Sequence, residues 1–308
     1  MKRCVFSSLL VALATFGCGS WSNADLEFAN ALPNREALRS KLPVTASSKS
    51  PLSGVSTRRD GLDVGEPSGA YADAKKAATE FNGILDFLLT VLDRVRQVPP
   101  TSRSPDARIW GPYPDSANPG YEGQVRVQQD TADTFSWWLE ERPTGGAFFD
   151  IVTGDFQATT SVKKGTGTMV VHVADFRDRL KVDDNNIKKL DAINIDYDTR
   201  GFPIEVTMSF VDASGPRLSY VYEENEDRSG SMDFILTTTD PNITSEKLTA
   251  QWTTEGSGRT DAVVLDGGYA GFAVTECWDS AFKVSFYSAN WSGGQTSGVA
   301  TSCSLPRP

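Results

Sequence analysis

The sequence predicts a mainly β protein: an up-and-down antiparallel meander of about 11–12 strands forming a barrel or half-barrel, with one long N-terminal helix packed against it. Three observations predict this. Between Ala192 and Thr239, four runs carry an apolar residue at every second position: Ile193/Ile195/Tyr197, Ile204/Val206/Met208/Phe210, Leu218/Tyr220/Tyr222 and Met232/Phe234/Leu236. Period two places those side chains on one face of a strand and Asn194, Asp196, Glu205, Thr207, Ser219 and Glu223 on the other. The intervening DTRG, DASGP and NEDRSG supply turn residues, so the strands connect as hairpins. From Tyr71 to Val98, by contrast, apolar residues recur at three- and four-residue spacing, the signature of a helix that Pro99-Pro100 ends. Phe87, Leu89 and Val91 widen its apolar arc, which points to burial on more than one side.

The chain begins MKRCVFSSLLVALATFG, with Lys2 and Arg3 ahead of an apolar stretch, Val5 to Phe16, too short to span a bilayer. Thr15-Phe16-Gly17-Cys18 resembles a bacterial lipobox. The resemblance implies removal of residues 1–17 as a signal peptide and acylation of Cys18, and Gly19 after the cysteine implies sorting to the outer membrane. Beyond this motif the chain is similar in general character to uncharacterised bacterial lipoproteins.

Residues 18–69 are expected to form a lipid-anchored tether. Asn34 can cap a short helix, Arg35 to Leu42, that Pro43 ends, and TASSKSPLSGVS from Thr45 to Ser56 reads as a linker. Residues 70–308 form the expected β-meander domain with its helix. After Ile109-Trp110-Gly111-Pro112-Tyr113 the strands begin: Tyr121/Gly123/Val125/Val127, Phe135/Trp137/Leu139, Phe149/Ile151 and Met169/Val171/Val173. An irregular segment, Asp175 to Leu190, precedes the central meander. Leu248/Ala250/Trp252, Val263 to Leu265, Phe272/Val274 and Val284/Phe286 follow it. So many strands in one sheet tend to curl or close.

Composition narrows the partners. The chain has 308 residues, 39% of them hydrophobic, enough for a sizeable core, and a formal net charge of −10. Loss of Lys2 and Arg3 with the leader leaves 28 basic against 40 acidic residues, −12. Such a surface repels nucleic acid and anionic headgroups, so no nucleic-acid partner is expected and membrane attachment falls to the acylated Cys18.

Of four cysteines, Cys4 leaves with the leader and Cys18 is the acylation site, so Cys277 and Cys303 are expected to form a disulfide. No metal or other cofactor is expected: the chain has one histidine, His172, and no CxxC. His172 falls out of phase with Met169, Val171 and Val173, so it reads as a solvated strand residue rather than a catalytic one. Asp196 to Thr207 lacks the ligands of a calcium loop at Arg200 and Thr207, and the single Tyr197-to-Gly201 segment lacks the recurrence of a YD-repeat array. Lys163 to Thr168 lacks the order of a phosphate loop. Acidic runs at Val182–Asn186 and Glu223–Asp227 read as solvated loop ends, and Asn242-Ile243-Thr244 and Asn290-Trp291-Ser292 as glycosylation patterns without use in such a protein. The neighbours Trp137/Trp138 and Phe148/Phe149 must point to opposite faces. One of each pair therefore lies on the polar face, where with Trp110 and Tyr113 it would mark a partner or ligand surface or be covered by other elements.

Three functions are compatible with these residues. The first is a non-enzymatic structural or protein-interaction module of the envelope. The second is a carrier for a lipid or other apolar ligand, by analogy with half-barrel lipoprotein carriers. The third is a hydrolase using carboxylates that meet only in the fold. Inward Ile, Met, Phe, Leu and Trp on nearly every strand favour a filled interior and hence the first.

Overall fold

The computed structural model describes residues 21–43, 63–181, 189–213, 215–290 and 294–306. The leader, Cys18, the linker at 45–56, the acidic run at 182–186 and residues 291–292 of the second glycosylation pattern lie outside the described residues.

The strands are β1 (Ser102–Arg103), β2 (Ala107–Pro114), β3 (Tyr121–Gln129), β4 (Thr134–Pro143), β5 (Phe149–Ser161), β6 (Lys164–Val171), β7 (Ala192–Asp198) and β8 (Ile204–Asp212). They continue as β9 (Gly215–Glu224), β10 (Gly230–Asp240), β11 (Ile243–Trp252), β12 (Gly258–Asp266), β13 (Ala273–Trp278), β14 (Val284–Ala289) and β15 (Gln295–Gly298). Their order in one 15-stranded sheet is the order of the chain, an antiparallel meander as the hairpin-length connections predict. The count exceeds the expected 11–12 for identifiable reasons. β1 is two exposed residues, β15 is the polar QTSG, and the alternation of β2 is interrupted at Gly111-Pro112, so none presents an apolar stripe of period two.

Four α-helices stand among the described residues, where one long helix and a short one from Arg35 to Leu42 were expected: α1 (Asn23–Ala31), α2 (Arg35–Leu38), α3 (Gly69–Val95) and α4 (Val173–Leu180). Two lie in the segment expected to be a tether. Ser22 and Asp25 form a capping box at the start of α1, and Asn34 caps α2 through the Glu36 amide. Helix α4 occupies part of the segment expected to be irregular and takes Val173 from the preceding strand, so His172 stands at its N-cap rather than in β6.

The chain divides into two compact units. The first comprises Met1–Arg39, Ile84–Gly201 and Met208–Arg217. Its core gathers Trp110, Val127, Phe135, Trp137, Met169 and Ile195, all buried. Helix α1 belongs to this core: Phe28 meets Phe135 edge to face, with ring centroids 5.8 Å apart, and the Arg108 guanidinium lies over its other side. Asp25 is fully buried and accepts from Arg108 Nε at 2.7 Å and from Arg103 Nε at 3.1 Å. Burial by itself raises this carboxyl's pKa. The Arg103 guanidinium, the Ser22 amide and Arg108 outweigh it and hold the group well below the usual carboxylate range. Arg96 donates to the carbonyls of Leu32 and Pro33, fixing the chain between α1 and α2.

The second unit comprises Ser40–Gly83, Phe202–Thr207 and Leu218–Pro308. Tyr220, Tyr222, Phe234, Trp252 and Trp278 fill it, and Phe81 stacks on Tyr220 at 3.7 Å between centroids. The Ser40 and Tyr220 hydroxyls share a hydrogen bond, while the Lys41 amide donates to Tyr222 Oη at 2.9 Å. At the start of α3, Ser68 Oγ accepts from the Tyr71 amide and donates to Glu276, which also accepts the Ala70 amide.

Within each unit, large aromatics lie across facing glycines. Trp137 opposes Gly154 and Tyr197 opposes Gly167 in the first; Trp252 opposes Gly230 and Trp278 opposes Gly258 in the second. A Cβ at any of these glycines would collide with the ring. The missing side chain is what lets an indole or phenol lie flat on the neighbouring strand.

Candidate functional site

The first unit contains a partly open pocket of ≈ 90 Å³ between the second half of α3 and strands β2 to β5. Leu88, Val91 and Val95 line it from the helix, and Trp110, Leu139 and Ile151 from the sheet. Two irregularities of the sheet shape it. Between Trp110 and Tyr113 the pairing of β2 with β3 shifts by one residue, and between Leu139 and Glu140 that of β4 with β5 shifts likewise, leaving Ile151 as the extra residue. Bulges re-aim side chains, and here they bring Tyr113 and Asp115 to the same pocket as Glu141.

Glu141 is in phase with Phe135, Trp137 and Leu139, so the alternation that builds the core carries a carboxyl into it. Its side chain is 4% exposed, and that of Asp115 is 5% exposed. Asp115 accepts two hydrogen bonds: the Ala117 amide donates to Oδ1 at 2.7 Å, and Asn118 Nδ2 donates to Oδ2. Burial, and then the hydrogen bond and charge of Asp115, push the Glu141 carboxyl up to about 8. These surroundings favour the protonated form of Glu141, whose carboxyl hydrogen-bonds with that of Asp115. Glu141 Oε1 is buried and has no hydrogen-bond partner. An unmet buried acceptor costs about 1–3 kcal/mol, a cost that a bound donor would remove.

Glu140 is buried in a different setting. It accepts from Gln124 Nε2 at 2.8 Å and pairs with Arg126 at 3.4 Å, and Arg126 lies 3.7 Å over the Trp138 ring. The aromatics expected to split between faces do so: Trp137 is buried in the core, and Trp138 is half-buried beneath Arg126. Arg142 likewise covers Phe148, and Arg179 covers Phe149. The exposed cluster that would have included Trp110 does not form, because Trp110 is 1% exposed and its Nε1 donates to the Val98 carbonyl.

The remaining predicted residues fall apart from the pocket. Cys277 and Cys303 are bonded, with Cα atoms 5.4 Å apart, in the second unit. The ring of His172 shares a hydrogen bond with Thr153 Oγ1 at 3.1 Å. Glu224, expected in a solvated run, is buried and accepts from Lys41 Nζ at 3.3 Å. Among the described residues, no group of three or more His, Cys, Asp or Glu side chains is placed to hold a metal ion.

The second unit has its own acidic group. Burial, then the charges of Glu246 and Glu276, push Asp73 up to about 7, with Lys76 opposing. Burial likewise raises Glu246 and Glu276. Glu276 is engaged at the α3 N-terminus, where helix geometry accounts for a carboxylate.

Comparison with protein-family models, curated proteins and solved structures finds no match to this chain.

Proposed function

We propose that this chain is a lipid-anchored, non-enzymatic envelope protein whose curved sheet, a barrel or half-barrel, holds an apolar ligand in the pocket beside α3. The observation that carries the reading is the pocket itself. Inward residues that filled every space would favour a purely structural or protein-interaction module. Here Leu88, Val91, Leu139 and Ile151 instead surround ≈ 90 Å³ of open volume, with a few polar groups in the lining. Apolar walls with a small number of placed polar groups are the usual make-up of small-molecule sites. Anchoring through Cys18 and an outer-membrane location rest on the lipobox-like residues Thr15 to Cys18.

Mass spectrometry of an organic extract from the full chain, purified without detergent, tests the binding function. A stoichiometric apolar compound, lost when Leu88→Trp fills the pocket, is the expected result. An empty protein that also binds no alkyl probe refutes it. Anchoring has its own test: palmitate labelling is expected in the wild-type chain and absent in Cys18→Ser.

The Asp115–Glu141 pair favours a second reading. Two carboxyls in a shared site, one of them with a raised pKa, can serve as a general acid–base pair. Under that reading a hydrolysable ester or glycoside is turned over by the wild-type chain and not by Asp115→Asn. Absence of turnover across both substrate classes leaves the binding function.

A further inference from the structure

We infer that the pocket beside α3 selects an amine: an apolar body carrying a primary or secondary ammonium group, which donates to Glu141 Oε1 while its chain lies against Leu88 and Val91. This rests on the binding function proposed above and adds the chemical class of the ligand. The polar lining of the pocket holds one buried acceptor that no donor meets. Asp115 already receives the Ala117 amide and Asn118 Nδ2, and Glu140 receives Gln124 and Arg126. Glu141 Oε1 alone among these carboxyl oxygens is buried and unmet, so the complementary ligand atom is an N–H or O–H.

Charge then separates amines from alcohols. Three acidic side chains, Asp115, Glu140 and Glu141, line the pocket against one basic one, Arg94, a balance that favours an ammonium group. A carboxylate ligand would add a further acidic group to that lining. The rings of Trp110 and Tyr113 also line the pocket, a setting that suits a cation.

Three probes of one chain length test this by titration calorimetry on the full chain near neutral pH: n-hexylamine, 1-hexanol and hexanoate. The amine is expected to bind about tenfold or more tightly than the alcohol, and hexanoate more weakly than either. Glu141→Met, which removes the acceptor, is expected to reduce the amine's affinity about tenfold, and Glu141→Gln, which keeps a carbonyl oxygen there, to leave it nearly unchanged. Equal affinities for amine and alcohol, or tighter binding of hexanoate, overturn the amine inference while the binding function stands. Binding of none of the three overturns both. Should Glu141→Met fail to fold, the order of the three probes on the wild-type chain still decides.

Discussion

Replacing Glu141 by Gln should change stability in a way that depends on pH. In the folded chain this carboxyl titrates at about 8, against an ordinary value of 4.5. A carboxyl with a raised folded pKa leaves stability intact below its unfolded pKa and erodes it as pH rises through the folded value. Each tenfold change in an ionisation constant corresponds to about 1.4 kcal/mol, and the open side of the pocket screens part of it, so the expected loss between about pH 5 and pH 9 is on the order of 3 kcal/mol. Gln cannot ionise, yet its amide can donate to Asp115 as the protonated carboxyl does. At about pH 5 the two proteins should therefore be nearly equally stable, and at about pH 9 the Gln variant should be more stable by on the order of 3 kcal/mol. Urea unfolding at three pH values, followed by tryptophan fluorescence, measures the difference. A constant difference across that range would refute the raised pKa of Glu141 and the surroundings argued to cause it.

Asp25→Asn should cost on the order of 3 kcal/mol, because it leaves Arg108 buried beside a neutral side chain. In the wild-type chain the same carboxylate contributes stability above about pH 4 that is lost as pH falls, since its folded pKa lies below the ordinary 3.8; proteolysis at the α1 segment reports both effects. Breaking the Cys277–Cys303 bond, which spans 26 residues, should cost about 3.5 kcal/mol on the chain-entropy model. Reduction should add about 2 Da to the intact mass and lower the unfolding midpoint. Gly154→Ala should cost about 1–3 kcal/mol, because its methyl group would enter the Trp137 ring, whereas alanine at Gly201, where nothing lies within 4 Å, should be nearly neutral; thermal unfolding compares the two.

Much of the site was written in the sequence in a form that pattern alone does not flag. Phe135/Trp137/Leu139 marks the inner face of β4, and Glu141 is the next residue in that register, so its burial follows from period two. What period two cannot supply is Asp115, twenty-six residues earlier, past a bulge at Gly111-Pro112 that resets which face the chain presents. The same limit explains α1. Ser22 and Asp25 spell a capping box, but only the approach of Arg103 and Arg108 makes Asp25 a buried anchor and turns part of an expected tether into core.

The sequence by itself determined the meander, the inner faces of strands such as β4, β6, β7 and β10 and the extent of α3 to within a few residues, because all three depend on neighbours two to four positions apart. Tertiary structure alone decided that Glu141 hydrogen-bonds with Asp115, that Glu140 instead meets Arg126, and that the space beneath α3 stays open. Those outcomes depend on groups far apart in the chain. Whether a carboxyl is charged, or a pocket filled, is fixed by what lies across the gap.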